Sequence, residues 1–173
     1  MKRTAVMMVA AAAMVGATMP VSAWQHDDVT MVARMAPPRD NLDRARELRQ
    51  QAEALFSEPR QWRKAARLLE QSAELREASD AEGYICLLYA GRIQAALGDL
   101  NGARQNLEKA AQQALTRGSI VEAAHAYIDA AFVAAEAKQA QTAQQLIERA
   151  TLLTSSPLLS ATQKAGLTSR ITG

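Results

Sequence analysis

Apolar residues recur at intervals of three and four positions from Asp40 almost to the end of the chain, with polar and charged residues between them. Ala45, Leu48 and Ala52 begin the first of these stripes. This spacing is typical of amphipathic helices that pack through one face. It predicts an all-α fold, and we expect seven helices, over residues 40–56, 58–77, 80–97, 99–117, 119–137, 140–153 and 157–170.

Residues that favour helix ends lie between the predicted helices. Ser79 and Glu82 have the spacing of a capping box, in which each side chain binds a free backbone N–H at a helix start. Gly98 and Gly118 are placed to end helices in the left-handed conformation. Ser156-Pro157 is expected to open the last helix, because proline is tolerated in a first turn.

Several positions repeat along the chain, first after 38 residues and then after 40. Small residues at these positions let two helices approach closely, and a larger residue fills the space beside them. A repeat of this length predicts an antiparallel helix-hairpin solenoid, here with three helix pairs over residues 40–153 and a capping helix over 154–173. The four repeating series are Ala52, Ala90 and Ala130; Ala65, Ala103 and Ala143; Leu69, Leu107 and Ile147; and Ser72, Ala110 and Ala150.

The stretch from Gly91 to Ala110 resembles the tetratricopeptide repeat family. Gly98-Asp99, Ala103 and Leu107 match its turn, small and core positions, while Lys138-Gln139 replaces the Gly-Asp turn in the third pair. The resemblance implies a curved array whose first helices line a concave peptide-binding groove. By this geometry, the residues that face the groove are Ile85, Leu88, Arg92, His125, Ile128, Phe132 and Glu136.

These groove residues combine aliphatic and aromatic surface with both signs of charge, which suits an extended or helical peptide. A second interpretation stays open, in which they pack against the N-terminal leader, the capping helix or a second copy of the chain.

The N-terminus has the pattern of a secretory signal peptide. Lys2 and Arg3 precede an uncharged, mostly apolar run over residues 4–19, and Val21-Ser22-Ala23 offers small residues for cleavage. An uncleaved anchor is the competing interpretation, but the run is shorter than the ~20 residues that span a bilayer. We expect a signal peptide over 1–23, a flexible leader over 24–39, a periplasmic or secreted protein, and no stable membrane insertion after cleavage.

Charge and composition exclude several classes of function. The chain has 20 Lys and Arg against 18 Asp and Glu, and cleavage removes Lys2 and Arg3, which leaves a neutral balance. A neutral protein has no general attraction for nucleic acid, and none is expected as a partner. The single cysteine, Cys86, excludes a disulfide framework within the chain, and the two histidines exclude a three-His zinc centre. Cys86 is expected to be buried, with an intermolecular disulfide as the alternative.

No catalytic motif occurs in the sequence, so we expect no enzyme and no cofactor. Glu122, His125 and Asp129 lie at helical spacing and form one E-x-x-H. A di-iron site needs a second such motif and two more glutamates, so a structural role is the simpler interpretation.

Cleavage after Ala23 would create a metal-binding N-terminus. The mature chain would begin Trp24-Gln25-His26, whose amine, amide nitrogens and imidazole suit square-planar Cu(II) or Ni(II). An incidental histidine in the leader is the alternative.

These observations favour an exported, non-catalytic interaction module or scaffold that binds a protein or peptide partner in its groove. Two alternatives remain at this point. One is an envelope protein that binds a small molecule or metal through His26. The other is a structural subunit that forms homo-oligomers through the same groove.

Overall fold

The computed structural model describes residues 39–172, and the elements in this range are all helical. The predicted all-α class and the seven predicted helices are confirmed over these residues. A short 3-10 turn, Pro59–Gln61, leads into the second helix. The α-helices are α1 Arg39–Glu53, α2 Trp62–Glu74, α3 Ala81–Ala96, α4 Leu100–Thr116, α5 Ile120–Glu136, α6 Ala140–Thr154 and α7 Ala161–Thr172.

Three tight turns reverse the chain between α3 and α6, each through one residue in the left-handed region. Gly98 has φ of 80° and Gly118 has φ of 74°, as their positions in the sequence predict. Lys138 takes the same place in the third turn with φ of 59°. A residue with a Cβ is strained in this region by about 1–2 kcal/mol. Lys138 therefore makes the third turn less stable than a glycine would, although its backbone has the same conformation as the other two turns.

The start of α3 differs by one residue from the predicted capping box. Asp80, not Ser79, is the N-cap, and its Oδ1 accepts a 2.8 Å hydrogen bond from the backbone N–H of Glu82. A carboxylate is favoured at this position because it also interacts with the positive end of the helix dipole.

The last helix begins four residues later than predicted. Ser156-Pro157 lies in a turn, and α7 begins at Ala161. Ser160 caps it, because its Oγ accepts a 3.2 Å bond from the Gln163 N–H while Gln163 Oε1 accepts a 2.9 Å bond from the Ser160 N–H. This reciprocal box satisfies two N–H groups at the helix start that have no partner within the helix itself.

The helices pack in adjacent pairs. Each helix from α1 to α6 contacts the helix that follows it in the sequence, and α7 contacts both α5 and α6. Ala52, Ala90 and Ala130, which repeat in the sequence, are fully buried in these contacts. Small core side chains thus allow close approach, and only limited aliphatic volume is needed between helices.

Gly91 marks the closest approach of α3 and α4. A Cβ at this position would lie 2.8 Å from Leu107 Cγ and 3.0 Å from the Ala103 carbonyl oxygen. The pair therefore requires a residue without a side chain at this crossing.

None of the helices in residues 39–172 is long and apolar enough to cross a membrane.

Candidate functional site

The residues predicted to line the groove are divided between α3 and α5 and differ in exposure. Arg92 and Glu136 are exposed, Phe132 is 53% exposed, and Ile85, Leu88 and His125 are half-buried. The seven predicted residues therefore do not form one continuous exposed surface.

Ile128 departs from the predicted groove. It is fully buried, because α5 is in contact with α4, α6 and α7 and its apolar face lies in the core. In this structure it has no surface to offer a partner.

Arg92 connects the two helices that carry the predicted groove residues. Its Nη2 and Nε donate hydrogen bonds of 2.7 and 3.1 Å to Asp129 Oδ2. The Asp129 side chain is 14% exposed and that of Arg92 is 50% exposed. The carboxylate of this ion pair is mostly buried and the guanidinium is half exposed. Two hydrogen bonds to the carboxylate therefore hold an accessible guanidinium in one position.

Arg170 of the last helix binds the other oxygen of the same carboxylate. Its Nη2 donates a 2.6 Å hydrogen bond to Asp129 Oδ1, and its Nη1 contacts His125 Nδ1. We call Asp129, Arg92, Arg170 and His125 the Asp129 cluster. It joins α3, α5 and α7, and with a neutral imidazole it carries one net positive charge.

His125 is neutral in this arrangement. Burial lowers the pKa of His125 below its usual value, and the adjacent Arg170 guanidinium lowers it further. A guanidinium has only donors, so Nδ1 accepts from Arg170 and the ring proton lies on Nε2.

A shallow pocket adjoins the Asp129 cluster. Its volume is about 290 Å³, and we call it the Phe132 pocket. An aromatic ring, aliphatic carbons and a guanidinium meet at this place, which allows a partner to bury an apolar group beside an anionic one. The pocket is lined by Arg92, Ala95, Leu107, Asp129, Phe132 and Val133.

Sequence reasoning missed two members of the site. Asp129 was assigned a structural role because the sequence lacks the second E-x-x-H and the further glutamates of a di-iron site, and Arg170 was not singled out. In the structure Glu122 binds Arg117 at 2.5 Å and is not part of the cluster. The only sequence signal for Arg170 was a basic residue near the end of a capping helix, which does not indicate its partner.

The remaining candidate residues from the sequence, Cys86 and His26, are not part of the Asp129 cluster. Cys86 is a buried free thiol that donates a 3.5 Å hydrogen bond to Ser72 Oγ, and burial raises the pKa of this thiol. Within residues 39–172, no three or more His, Cys, Asp and Glu side chains are grouped to hold a metal ion. His26, the predicted metal ligand, lies outside the described residues.

Comparison of the chain with protein-family models, with curated proteins and with solved structures gives no significant match.

Proposed function

We propose that this protein is an exported, non-catalytic interaction module that binds a peptide segment of a protein partner across α3 and α5. The observation that carries the proposal is the pairing of Phe132, which exposes half of its surface, with a guanidinium that Asp129 holds in place. Aromatic residues and arginine are enriched at the centres of protein interfaces, where a few residues supply most of the binding energy.

The chemistry of the site specifies the partner. The Phe132 pocket accepts an apolar side chain, and the net positive charge of the Asp129 cluster favours a carboxylate beside it. Arg92 donates through Nε and Nη2 to Asp129, and its Nη1 has no partner among residues 39–172 and can donate to that carboxylate. We therefore expect a segment that carries an apolar residue and an acidic residue close together.

The ion pair between Arg92 and Asp129 lowers the cost of binding. A free arginine loses side-chain entropy when it is fixed by a partner, about 0.5–1.5 kcal/mol for a flexible side chain. The Arg92 side chain is already held by Asp129 in the free protein, so less side-chain entropy is lost when a partner binds.

The proposal includes a solenoid of tetratricopeptide-repeat-like hairpins and export from the cytoplasm. Repeated buried alanines, three left-handed turns and packing between sequence neighbours support the solenoid. The basic head, apolar run and small residues before Trp24 support export. Mass spectrometry of the protein recovered from the extracytoplasmic fraction should find a chain that begins at Trp24, whereas an intact Met1 would contradict export by cleavage.

Photo-crosslinking in the living cell tests the binding surface. A photoreactive amino acid replaces Phe132 in one variant and Gln105, an exposed residue of α4, in the control variant. We expect a discrete crosslinked species from position 132 and none from position 105. The crosslinked segment of the partner, identified by mass spectrometry, should contain adjacent apolar and acidic residues.

A synthetic peptide of that segment then completes the test. We expect Phe132→Asp and Leu88→Asp to weaken its binding by about 1.5–3 kcal/mol, the loss of one buried apolar anchor. Equal affinity for the wild type and both folded variants would refute the groove. A crosslink between two copies of this chain would instead support a self-associating subunit, and sedimentation would then show a dimer.

A further inference from the structure

A second concave site lies among α2, α3 and α4. It is a cavity of about 490 Å³, within the range of roughly 300–1,000 Å³ that is usual for small-molecule sites. It shares no lining residue with the Phe132 pocket. We call it the α2–α4 cavity, and it is lined by Glu70, Ala73, Glu74, Ala78, Leu87, Asn106, Lys109, Gln112, Gln113 and Thr116.

A carboxylate is fixed in the wall of this cavity. Buried Asn106 donates through Nδ2 a 2.6 Å bond to Glu70 Oε1 and a 2.8 Å bond to Gln94 Oε1. Gln94 Nε2 donates a further 2.8 Å bond to the same Glu70 oxygen. Two amides from α3 and α4 therefore hold the carboxylate through one oxygen and leave Oε2 without a partner among the described residues.

A second carboxylate lies one helical turn further along α2. Glu70 and Glu74 have i, i+4 spacing and line the same cavity, so their like charges repel. Within residues 39–172 neither carboxylate forms an ion pair, and Lys109 at the cavity wall binds neither of them. The cavity lining therefore has one net negative charge, and neither carboxylate has an ion-pair partner among the described residues.

The remaining wall decides which cation fits. Exposed Ala78 and the edges of buried Ala73 and Leu87 contribute aliphatic atoms beside polar Gln112, Gln113 and Thr116, and the cavity is much larger than a single ion requires. A hydrated metal ion would leave this aliphatic surface in contact with water, whereas an alkyl chain would cover it.

We propose that the α2–α4 cavity binds a small aliphatic ammonium ion. The ammonium group lies between Glu70 and Glu74 and donates hydrogen bonds to both carboxylates, and the hydrocarbon chain packs on Ala78 and on the accessible edge of Leu87. Binding removes the repulsion between the two glutamates and excludes water from the aliphatic wall.

Titration of the purified protein with n-butylammonium, followed by backbone amide NMR shifts, tests this site. We expect saturable shifts at residues of the cavity with a dissociation constant on the order of 1 mM, since the ligand has few heavy atoms. The alcohol n-butanol has the same shape without the charge, and it should give no saturable shift there. Equal binding of the alcohol, or no saturation with the amine about tenfold above that concentration, would overturn the proposal.

Three variants separate the site from diffuse attraction between charges. Glu74→Gln should weaken amine binding about fivefold to tenfold, since it removes one charge-assisted hydrogen bond. Lys109→Gln should strengthen it, because a competing ammonium leaves the cavity wall. Glu148→Gln, an exposed change on α6, should leave it unchanged.

Specific outcomes of this series contradict the site. Equal weakening by Glu74→Gln and Glu148→Gln would show nonspecific attraction, and so would identical shifts with magnesium chloride. None of these variants alters the Phe132 pocket, so failure here leaves the proposed peptide-binding function standing.

Discussion

The guanidinium of Arg170 binds the carboxylate of Asp129 at 2.6 Å, and this bond attaches the last helix to the fifth. Leu167 is the one fully buried side chain among the described residues of α7. The polar contact therefore adds to the docking of a helix that has little apolar surface in the core.

Arg170→Gln should loosen α7 and leave the rest of the fold in place. Hydrogen bonds to charged groups contribute about 1.5–3 kcal/mol when well ordered, and partial exposure of Arg170 reduces the expected loss to about 1 kcal/mol. Hydrogen exchange should accelerate in α7 and stay unchanged in α3. Uniform acceleration across all helices would show that α7 does not unfold separately.

Stability should fall as the pH drops below the ordinary pKa of histidine. The pKa of His125 is lowered in the folded protein from 6.5, so the unfolded chain binds the proton first. The stability that the neutral His125 contributes is fully present above pH 6.5. It is lost progressively as the pH falls toward the lowered pKa of the folded protein.

Urea unfolding measures this effect in the wild type and in His125→Gln. The two conditions are pH 7.5 and pH 5.5, roughly one unit above and below the ordinary pKa of histidine. Glutamine accepts from Arg170 but does not titrate in this range, so the variant should lose less stability than the wild type between the two conditions. An identical loss in both proteins would assign the pH dependence to other groups.

Gly91→Ala should destabilise the protein by about 1–3 kcal/mol, the usual cost of overpacking. The new Cβ would lie 3.0 Å from a backbone oxygen of α4 as well as against Leu107, so α3 and α4 must move apart. Gly166→Ala in α7 is the matched control, since a Cβ there meets nothing within 4 Å. It should raise stability by up to about 1 kcal/mol through helix propensity. Thermal unfolding monitored by circular dichroism compares the two, and equal midpoints would contradict the close helix crossing.

Lys138→Gly should stabilise the protein by about 1 kcal/mol. The residue has a left-handed backbone, which glycine adopts without the strain of a Cβ, although glycine also makes the unfolded chain more flexible. Gly118→Ala introduces the opposite change in the preceding turn and should destabilise by a similar amount. Chemical denaturation of both variants checks the pair, and a loss of stability with Lys138→Gly would show that the lysine side chain stabilises the turn.

The helices could be predicted from the sequence because the information is local. Three- and four-residue spacing defines each apolar face, and the positions of Gly98 and Gly118 mark their turns without knowledge of the tertiary structure. The start of α7 was misplaced because Ser156-Pro157 and Ser160 with Gln163 are both acceptable helix starts. The choice between them depends on Leu159, which is buried in the turn.

The candidate site was less accessible to sequence reasoning. Arg92, His125 and Phe132 were identified, but the partners that orient the first two come from other helices. Arg170 lies 45 positions from His125, and nothing in the local sequence indicates that the two meet. Ile128 was assigned to the groove because the family resemblance implies that the first helix of each pair lines it, whereas α5 is in contact with α4, α6 and α7 and buries this residue.

Packing between successive helices has a kinetic consequence. When most contacts join residues close together in the sequence, the average loop that must close during folding is short, and such helical proteins fold in roughly microseconds to milliseconds. A chain of this kind begins to acquire structure at any one hairpin and extends from there. Folding therefore does not depend on the two ends of the described region first meeting each other.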